Sequence, residues 1–203
     1  MPAKVVEKAD EIYQIKVTLL GIDPPIWRRL LVPAGLTLEQ LSSALQLAMG
    51  WDGGHLHDFR IGKQRYGEPD PMEKFFDGPR TASERSTRLL SVLGRVGAKA
   101  VYTYDFGDTW EHEIVVEKRL PPEPGRDYPA CVAGERHGPP EDCGGVPGFY
   151  NLLEAIADPD HEQHEELLEW VGEDFDPEAF SVEEVNRGLA SMHRRRKKRT
   201  AAK

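Results

Sequence analysis

The order of polar and apolar residues predicts an antiparallel pair of strands near the start of the chain. From Glu11 to Leu19 the two kinds of residue alternate, and a period of two is typical of a strand with one buried face. Residues 26–32 predict a second strand. The turn between them, residues 21–25, is short and ends in two adjacent prolines, which favours a hairpin.

A helix is predicted to begin after Thr37, because Thr37 and Gln40 form a capping-box pattern. Gly50 fits the C-terminal cap of this helix. The residues of its predicted buried stripe lie three or four positions apart: Leu38, Leu41, Leu45 and Ala48. A helix with such a stripe is expected to pack on the buried face of the sheet.

More strands are predicted at residues 56–61, 98–106 and 111–118, the last two joined as a hairpin through residues 107–110. The strand at 56–61 is expected to turn toward a short partner. Residues 67–87 hold proline, glycine and charged residues without periodicity, and we interpret them as a long loop.

The second half of the chain predicts a loop followed by helices. Residues 121–148 are rich in proline and glycine, and we expect an ordered loop because they include Tyr128 and both cysteines. Helices are predicted at residues 149–157, 162–171 and 182–193. Strands that precede helices indicate an α+β fold, an antiparallel sheet with helices packed on it and a C-terminal helical segment.

We therefore expect a flexible leader at residues 1–10, a single α+β domain at 11–193 and a basic, disordered tail at 194–203. Within the domain, residues 11–120 are strand-rich and residues 149–193 helical.

Composition and charge limit the partners of the chain. It has 203 residues and a net charge of −9, and its longest apolar runs are too short to cross a bilayer. With no signal-like N-terminal segment, we predict a cytoplasmic protein without a membrane partner. Residues 194–203 hold seven basic residues and no acidic one. Because the acidic remainder would repel a phosphate backbone, a nucleic-acid contact would have to come from this tail or a local patch.

Aromatic and polar residues that a plain core strand does not need are concentrated in three short segments, which predicts a binding site. The candidate binding residues are Trp51, His55, His57, Tyr104, Asp105, Asp108, Trp110, His112, Glu141 and Asp142. The competing interpretation is structural: a core in which Asp105, Asp108 or Glu111 satisfies the indole and imidazole nitrogens. Glu141 and Asp142 also form a carboxylate pair, but no nucleophile is associated with them.

Cys131, His137 and Cys143 are the candidate metal ligands, because zinc accepts thiolates and imidazoles together. Their spacing is not that of a zinc ribbon or finger. The alternative is that both cysteines are small buried residues in a loop rich in proline and glycine. Glycine-rich phosphate-binding motifs do not occur in the chain.

Five segments in order, residues 26–29, 51–59, 104–112, 139–145 and 158–180, give the chain a resemblance to a known family. It resembles the plasmid pRiA4b ORF-3-like family over roughly residues 11–190. The resemblance implies an α+β domain and an association with plasmids and insertion elements, but no catalytic residues.

Three functions follow as hypotheses. The first is a non-enzymatic binding or accessory module, associated with mobile elements, whose partner is a protein or a nucleic acid. The second is a zinc-dependent hydrolase that uses His112, Cys131, His137 and Cys143 or the histidines at 55 and 57. The third is a nucleic-acid accessory protein that binds through the basic residues 194–199.

Overall fold

The computed structural model describes residues 9–75 and 80–201, and these contain one eight-stranded sheet. The strands are β1 (Ile12–Leu19), β2 (Trp27–Pro33), β3 (His57–Ile61), β4 (Gln64–Gly67), β5 (Ala82–Ser83), β6 (Lys99–Tyr104), β7 (Trp110–Leu120) and β8 (Ala130–Glu135). Their order across the sheet is β5-β4-β3-β6-β7-β1-β2-β8. All neighbours are antiparallel except β4 and β5, which are parallel. The α+β class is therefore confirmed, with a sheet that is mostly antiparallel.

Five α-helices accompany the sheet in the described part of the chain. They are α1 (Leu38–Met49), α2 (Leu89–Val92), α3 (Gly145–Ala157), α4 (His164–Val171) and α5 (Val182–Ala201), and a short 3-10 helix covers Pro71–Phe75. Leu41 of α1, Phe149 of α3 and Leu189 of α5 are all fully buried in the same core as the sheet. One face of the sheet is thus covered by helices, as the alternation in β1 predicts.

The predicted capping box of α1 is present. Thr37 accepts a hydrogen bond from the backbone of Gln40, and the side chain of Gln40 accepts one from the backbone of Thr37. Gly50 ends the helix with a left-handed φ of 92°. The buried guanidinium of Arg28 donates to the carbonyl of Ala48 at 2.8 Å and to that of Glu135 at 2.9 Å. Because these bonds tie the end of α1 to β2 and β8, the residues after Gly50 leave the helix from a fixed position.

The loop predicted at residues 121–148 contains an unpredicted strand, β8, and α3 begins within it at Gly145. The β8 residues are small and show no alternation, so the sequence carries no strand signal there. β8 pairs with β2, and on its other side the amide of Asn186 bonds both the N–H and the C=O of Cys131, at 2.8 and 2.9 Å. A helix side chain therefore covers an edge that would otherwise be open.

Three other boundaries differ from the predictions. Leu56 lies outside β3, and the long loop predicted at 67–87 contains the 3-10 helix and the two residues of β5. Helix α5 runs to Ala201, so its backbone includes most of the segment for which we expected disorder. The flexible leader predicted at residues 1–10 falls mostly outside the described residues. No helix within residues 9–75 and 80–201 has the length and apolar character needed to cross a membrane.

Candidate functional site

Three loops meet at one end of the central strands, and we call this region the loop junction. They are residues 50–56 between α1 and β3, residues 105–109 between β6 and β7, and residues 136–144 between β8 and α3. The first loop is positioned by the end of α1. The second is the turn of the β6–β7 hairpin, which the sequence predicts.

The lower layer of the junction, which we call the floor, consists of Trp51, Tyr104, Trp110 and His112. Each of the four side chains is at most 3% exposed. Trp51 stacks on Tyr104 with ring centroids 4.7 Å apart, and His112 meets the Trp51 ring edge-on at 5.3 Å. The indole of Trp51 donates to the carbonyl of Pro139 at 2.8 Å, which fixes the third loop to the floor.

His112 is buried as a neutral imidazole. Its Nδ1 lies 3.4 Å from the carbonyl of Tyr102, and its Nε2 has no hydrogen-bond partner within the described residues. Burial lowers the pKa of His112 to about 4, because the charged form would lose its hydration. The floor therefore favours an uncharged histidine at neutral pH.

The carboxylates that we expected to satisfy the floor nitrogens have other partners. Asp105 accepts from the backbone of Gly107 at 2.8 Å, and Asp108 accepts from the backbone of Gly144 at 3.1 Å. Glu111 pairs with Arg60. The structural interpretation is correct in placing Trp51, Trp110 and His112 in the core. It is wrong about their hydrogen-bond partners, because the indole of Trp51 and Nδ1 of His112 contact backbone carbonyls and not carboxylates.

Above the floor, His55, Asp105 and Asp142 bring one imidazole and two carboxylates together, and we call these three residues the rim. His55 Nδ1 lies 3.4 Å from an oxygen of Asp105, and His55 Nε2 lies 3.4 Å from an oxygen of Asp142. One ligand atom from each residue lies within 4.8 Å of the other two. The side chains are 29%, 12% and 73% exposed in chain order, so solvent and solutes reach the rim.

Two of the three rim residues have backbone conformations that are uncommon for residues other than glycine. Asp105 has a φ of 55° and Asp142 a φ of 60°. Aspartate tolerates the left-handed region better than most residues, but such positions are uncommon and occur often at functional sites. Without these turns the two carboxylates would point in other directions.

Several contacts fix the third loop and thus Asp142. The hydroxyl of Tyr104 donates to Glu141, which also accepts from the backbone of Asp52 at 3.3 Å. Burial, and then this bond to a carboxylate, raise the pKa of Tyr104 above its usual value, so the phenol stays protonated. At Gly145 an added Cβ would lie 2.5 Å from the carbonyl oxygen of Asp108, so the second and third loops approach too closely for any larger residue.

His57, the other histidine predicted beside His55, belongs to a different contact. Its Nε2 lies 3.0 Å from the buried Glu84, a partner that the sequence analysis missed because it lies in the segment interpreted as a long loop. His57 is the first residue of β3 and pairs in register with Tyr104. It supports the sheet beside the junction and is not part of the rim.

The predicted metal ligands Cys131, His137 and Cys143 do not form a ligand group within the described residues. Cys131 is buried on β8, where its thiol donates to the carbonyl of Ala133 at 3.4 Å. His137 donates to the carbonyl of Gly138 at 2.6 Å. Burial, and next the negative charge of Asp108, raise the pKa of Cys143 to about 12. Burial also raises the pKa of Cys131, so both cysteines favour the thiol over the metal-binding thiolate.

Comparison with known proteins identifies the family. The family model described as Plasmid pRiA4b ORF-3-like protein matches residues 11–184, so the chain belongs to this family, as its motifs predict. The protein y4hQ of Sinorhizobium fredii is 41% identical over 183 residues, 89% of this chain and 92% of y4hQ.

A solved relative has the same fold. The crystal structure of protein MM3350 from Methanosarcina mazei Go1 is similar with a TM-score of 0.76 and 37% identity, over 88% of this chain and 98% of that one. Neither relative's name states a ligand or an activity, so a function has to be inferred from the site.

Proposed function

We propose that the protein is a binding module without catalytic activity of its own, and that its rim holds a divalent cation. The observation that carries the proposal is the convergence of His55, Asp105 and Asp142 from three separate loops. Two carboxylates balance the charge of a divalent ion, and the imidazole adds a nitrogen ligand. Such a mixed set suits Mn²⁺, which prefers oxygen ligands, or Zn²⁺, which accepts imidazole and carboxylate, better than soft, thiolate-preferring ions.

The separations within the rim leave room for a shared ion at one nitrogen of His55, because one ligand atom from each residue lies within 4.8 Å of the other two. Ligand atoms bound about 2.1 Å from one ion are themselves roughly 3.0–3.4 Å apart. The two separations of 3.4 Å involve different ring nitrogens of His55, Nδ1 with Asp105 and Nε2 with Asp142. One ion binds only one of these nitrogens, so the carboxylate beside the other nitrogen has to turn toward the ion. The competing interpretation is that His55 contacts the two carboxylates directly, through one ring nitrogen each, with no ion.

The other polar groups of the junction favour binding over catalysis. Glu141 is engaged by Tyr104 and the backbone of Asp52, and Asp108 is engaged by the backbone of Gly144. A general base must be within reach of a substrate proton, and these carboxylates already serve the loops. The hydrolase hypothesis has less support, because its thiolate ligands are not brought together.

Calorimetric titration with Mn²⁺ and with Zn²⁺ tests the proposal. We expect saturable binding of one ion, weakened about tenfold or more in Asp142→Asn, which keeps the shape of the side chain and removes its charge. The control is Asp52→Asn, which makes the same exchange in the same junction outside the rim, and we expect no change. A chain that binds neither ion, or an equal loss of affinity in both variants, would contradict the proposal and favour direct contacts between His55 and the two carboxylates.

The partner, the location in the cytoplasm and the association with mobile elements stay predictions. A cation bound at the rim would stiffen three loops at once and give a protein or nucleic-acid partner a defined surface. The nucleic-acid hypothesis depends on residues 194–199, whose side chains lie outside the described part of the structure.

A further inference from the structure

A second surface, independent of the junction, lies beside α4, and we call it the α4 groove. Two neighbouring cavities of about 510 Å³ and about 370 Å³, which share Leu168 and Glu173 in their linings, make up this surface. Its apolar lining is made of half-buried side chains from α3, α4 and the segment after α4: Leu153, Ile156, Leu168 and Phe175. Its charged lining includes one basic residue, Arg136, which pairs with Glu178, and is otherwise acidic: Glu165, Glu169, Glu173, Asp176 and Glu178.

Most of the acidic edge has no cationic partner in the described part of the chain. Glu178 pairs with Arg136 at 2.7 Å, whereas Glu165, Glu169 and Glu173 form no ion pair with a described basic side chain. Helix α4 contains no buried residue, although its sequence is amphipathic. The groove thus combines apolar lining, unneutralised negative charge and a helix that packs only partly on its own chain.

The chemistry that fits this surface is a row of arginine or lysine side chains. Their methylene stems cover apolar surface while the charged ends remain in water, and guanidinium groups bond carboxylates in a paired geometry. The same chain carries such a row at residues 194–199, six consecutive basic residues. A segment and a groove with complementary charge are therefore present on every copy.

The direction of α5 favours a contact between copies. Its first half packs on α1 and β8, and the backbone continues as one helix to Ala201. Helix α4 packs on α3 instead, so α4 and α5 have different neighbours within one chain. We propose that the α4 groove binds the basic C-terminal segment of a second copy of this chain, and that reciprocal exchange of the two segments makes a symmetric dimer.

Sedimentation velocity at low and high salt tests this contact, because screening weakens exposed charge pairs between about 50 mM and about 500 mM NaCl. We expect the full chain to associate at low salt and to be monomeric at high salt. The variant Glu169→Lys with Glu173→Lys should associate about tenfold more weakly or not at all. The matched control, Glu39→Lys with Glu68→Lys, reverses two exposed charges outside the groove and should associate like the unaltered chain.

A mixing experiment identifies the two halves of the contact. A chain that ends at residue 193 keeps the groove and lacks the basic segment, whereas the groove variant keeps the segment. At low salt each alone should associate about tenfold more weakly than the full chain or not at all, and the two together should form a one-to-one complex. The proposal is overturned if the full chain stays monomeric at low salt, if the shortened chain associates as strongly as the full one, or if the mixture forms no complex.

Discussion

The floor and the rim of the loop junction lie next to each other in the same short motifs, but their surroundings differ. Tyr104 is fully buried and stacked on Trp51, whereas the next residue, Asp105, turns with a left-handed φ toward His55. The floor contributes buried apolar area and aromatic packing, and the rim contributes an imidazole and two carboxylates, of which Asp105 also accepts from the backbone of Gly107. Neighbouring residues of one motif therefore include both core side chains and side chains that we propose bind a cation. Of the latter, Asp105 is also largely buried, whereas His55 is partly and Asp142 mostly exposed.

The largest loss of folding stability is expected from a substitution in the floor. Trp110→Ala removes an indole that is 1% exposed and packs on Phe149 with centroids 6.5 Å apart. We expect the free energy of unfolding in urea to fall by about 3–5 kcal/mol. The matched control is Trp170→Ala on α4, where the side chain is 47% exposed and the expected loss is about 0.5 kcal/mol or less. Equal losses in the two variants would mean that the floor is not a core.

The neutral His112 should make stability depend on pH. Its pKa in the folded chain is about 4, below its usual value of 6.5, so the unfolded chain binds the proton first as the pH falls. The stability that the folded chain gains from the neutral His112 is therefore fully present above about pH 6.5. It is lost as the pH falls to about 4, and the free energy of unfolding then decreases by up to about 3 kcal/mol. Urea unfolding of the unaltered chain and of His112→Gln over this range measures it. If the free energy of unfolding of His112→Gln depends on pH as steeply as that of the unaltered chain, His112 is not the group that causes the pH dependence.

The close approach of the second and third loops predicts a smaller loss for Gly145→Ala. An added Cβ meets the carbonyl oxygen of Asp108, and the φ of 67° is also unfavourable for alanine. We expect a loss of roughly 1–3 kcal/mol. Gly125→Ala is the control, because Gly125 has a φ of 81° and open space around its Cβ position. The difference between the losses in free energy of unfolding of the two variants measures the cost of the contact with Asp108. Equal losses would contradict the close approach of the two loops.

The smallest effect on folding is expected at the rim. His55→Gln removes a side chain that is 29% exposed and touches the core only where its ring meets Tyr104 edge-on at 5.7 Å, so the free energy of unfolding should change by about 1 kcal/mol or less. Stabilisation by added Mn²⁺, about 2.7 kcal/mol at a concentration of 100 times the Kd for the unaltered chain, should disappear. Thermal unfolding with and without the ion measures both quantities. If the variant is strongly destabilised without metal, His55 contributes to folding as the floor residues do, and its assignment to the rim is wrong.

Sequence patterns predict the parts of this fold whose causes are local. The alternation in β1, the capping box of α1 and the β6–β7 hairpin are determined by neighbouring residues, and all three are present. β8 was missed because its small residues show no alternation and its position depends on pairing with β2. All three rim residues were among the binding candidates, but their combination was not predicted. It depends on the left-handed turns at Asp105 and Asp142, which no periodicity reveals.

The predicted metal set shows the limit of reasoning from residue type alone. Cys131, His137 and Cys143 are good zinc ligands as chemical groups, and they lie close together in sequence. In the fold, Cys131 lies on a strand beside α5, and the ring of His137 packs against Phe175 at 5.1 Å. Proximity in sequence was therefore a poor guide to proximity in space, whereas the rim is assembled from residues up to 87 positions apart.

The most direct test of the difference between floor and rim is a crystal of the protein soaked in Mn²⁺, with the anomalous difference density measured. Our account predicts one strong peak between the side chains of His55, Asp105 and Asp142, and no peak beside the neutral His112 or between the two cysteines. A map without density at the rim, or with its strongest peak at another group of side chains, would contradict the account.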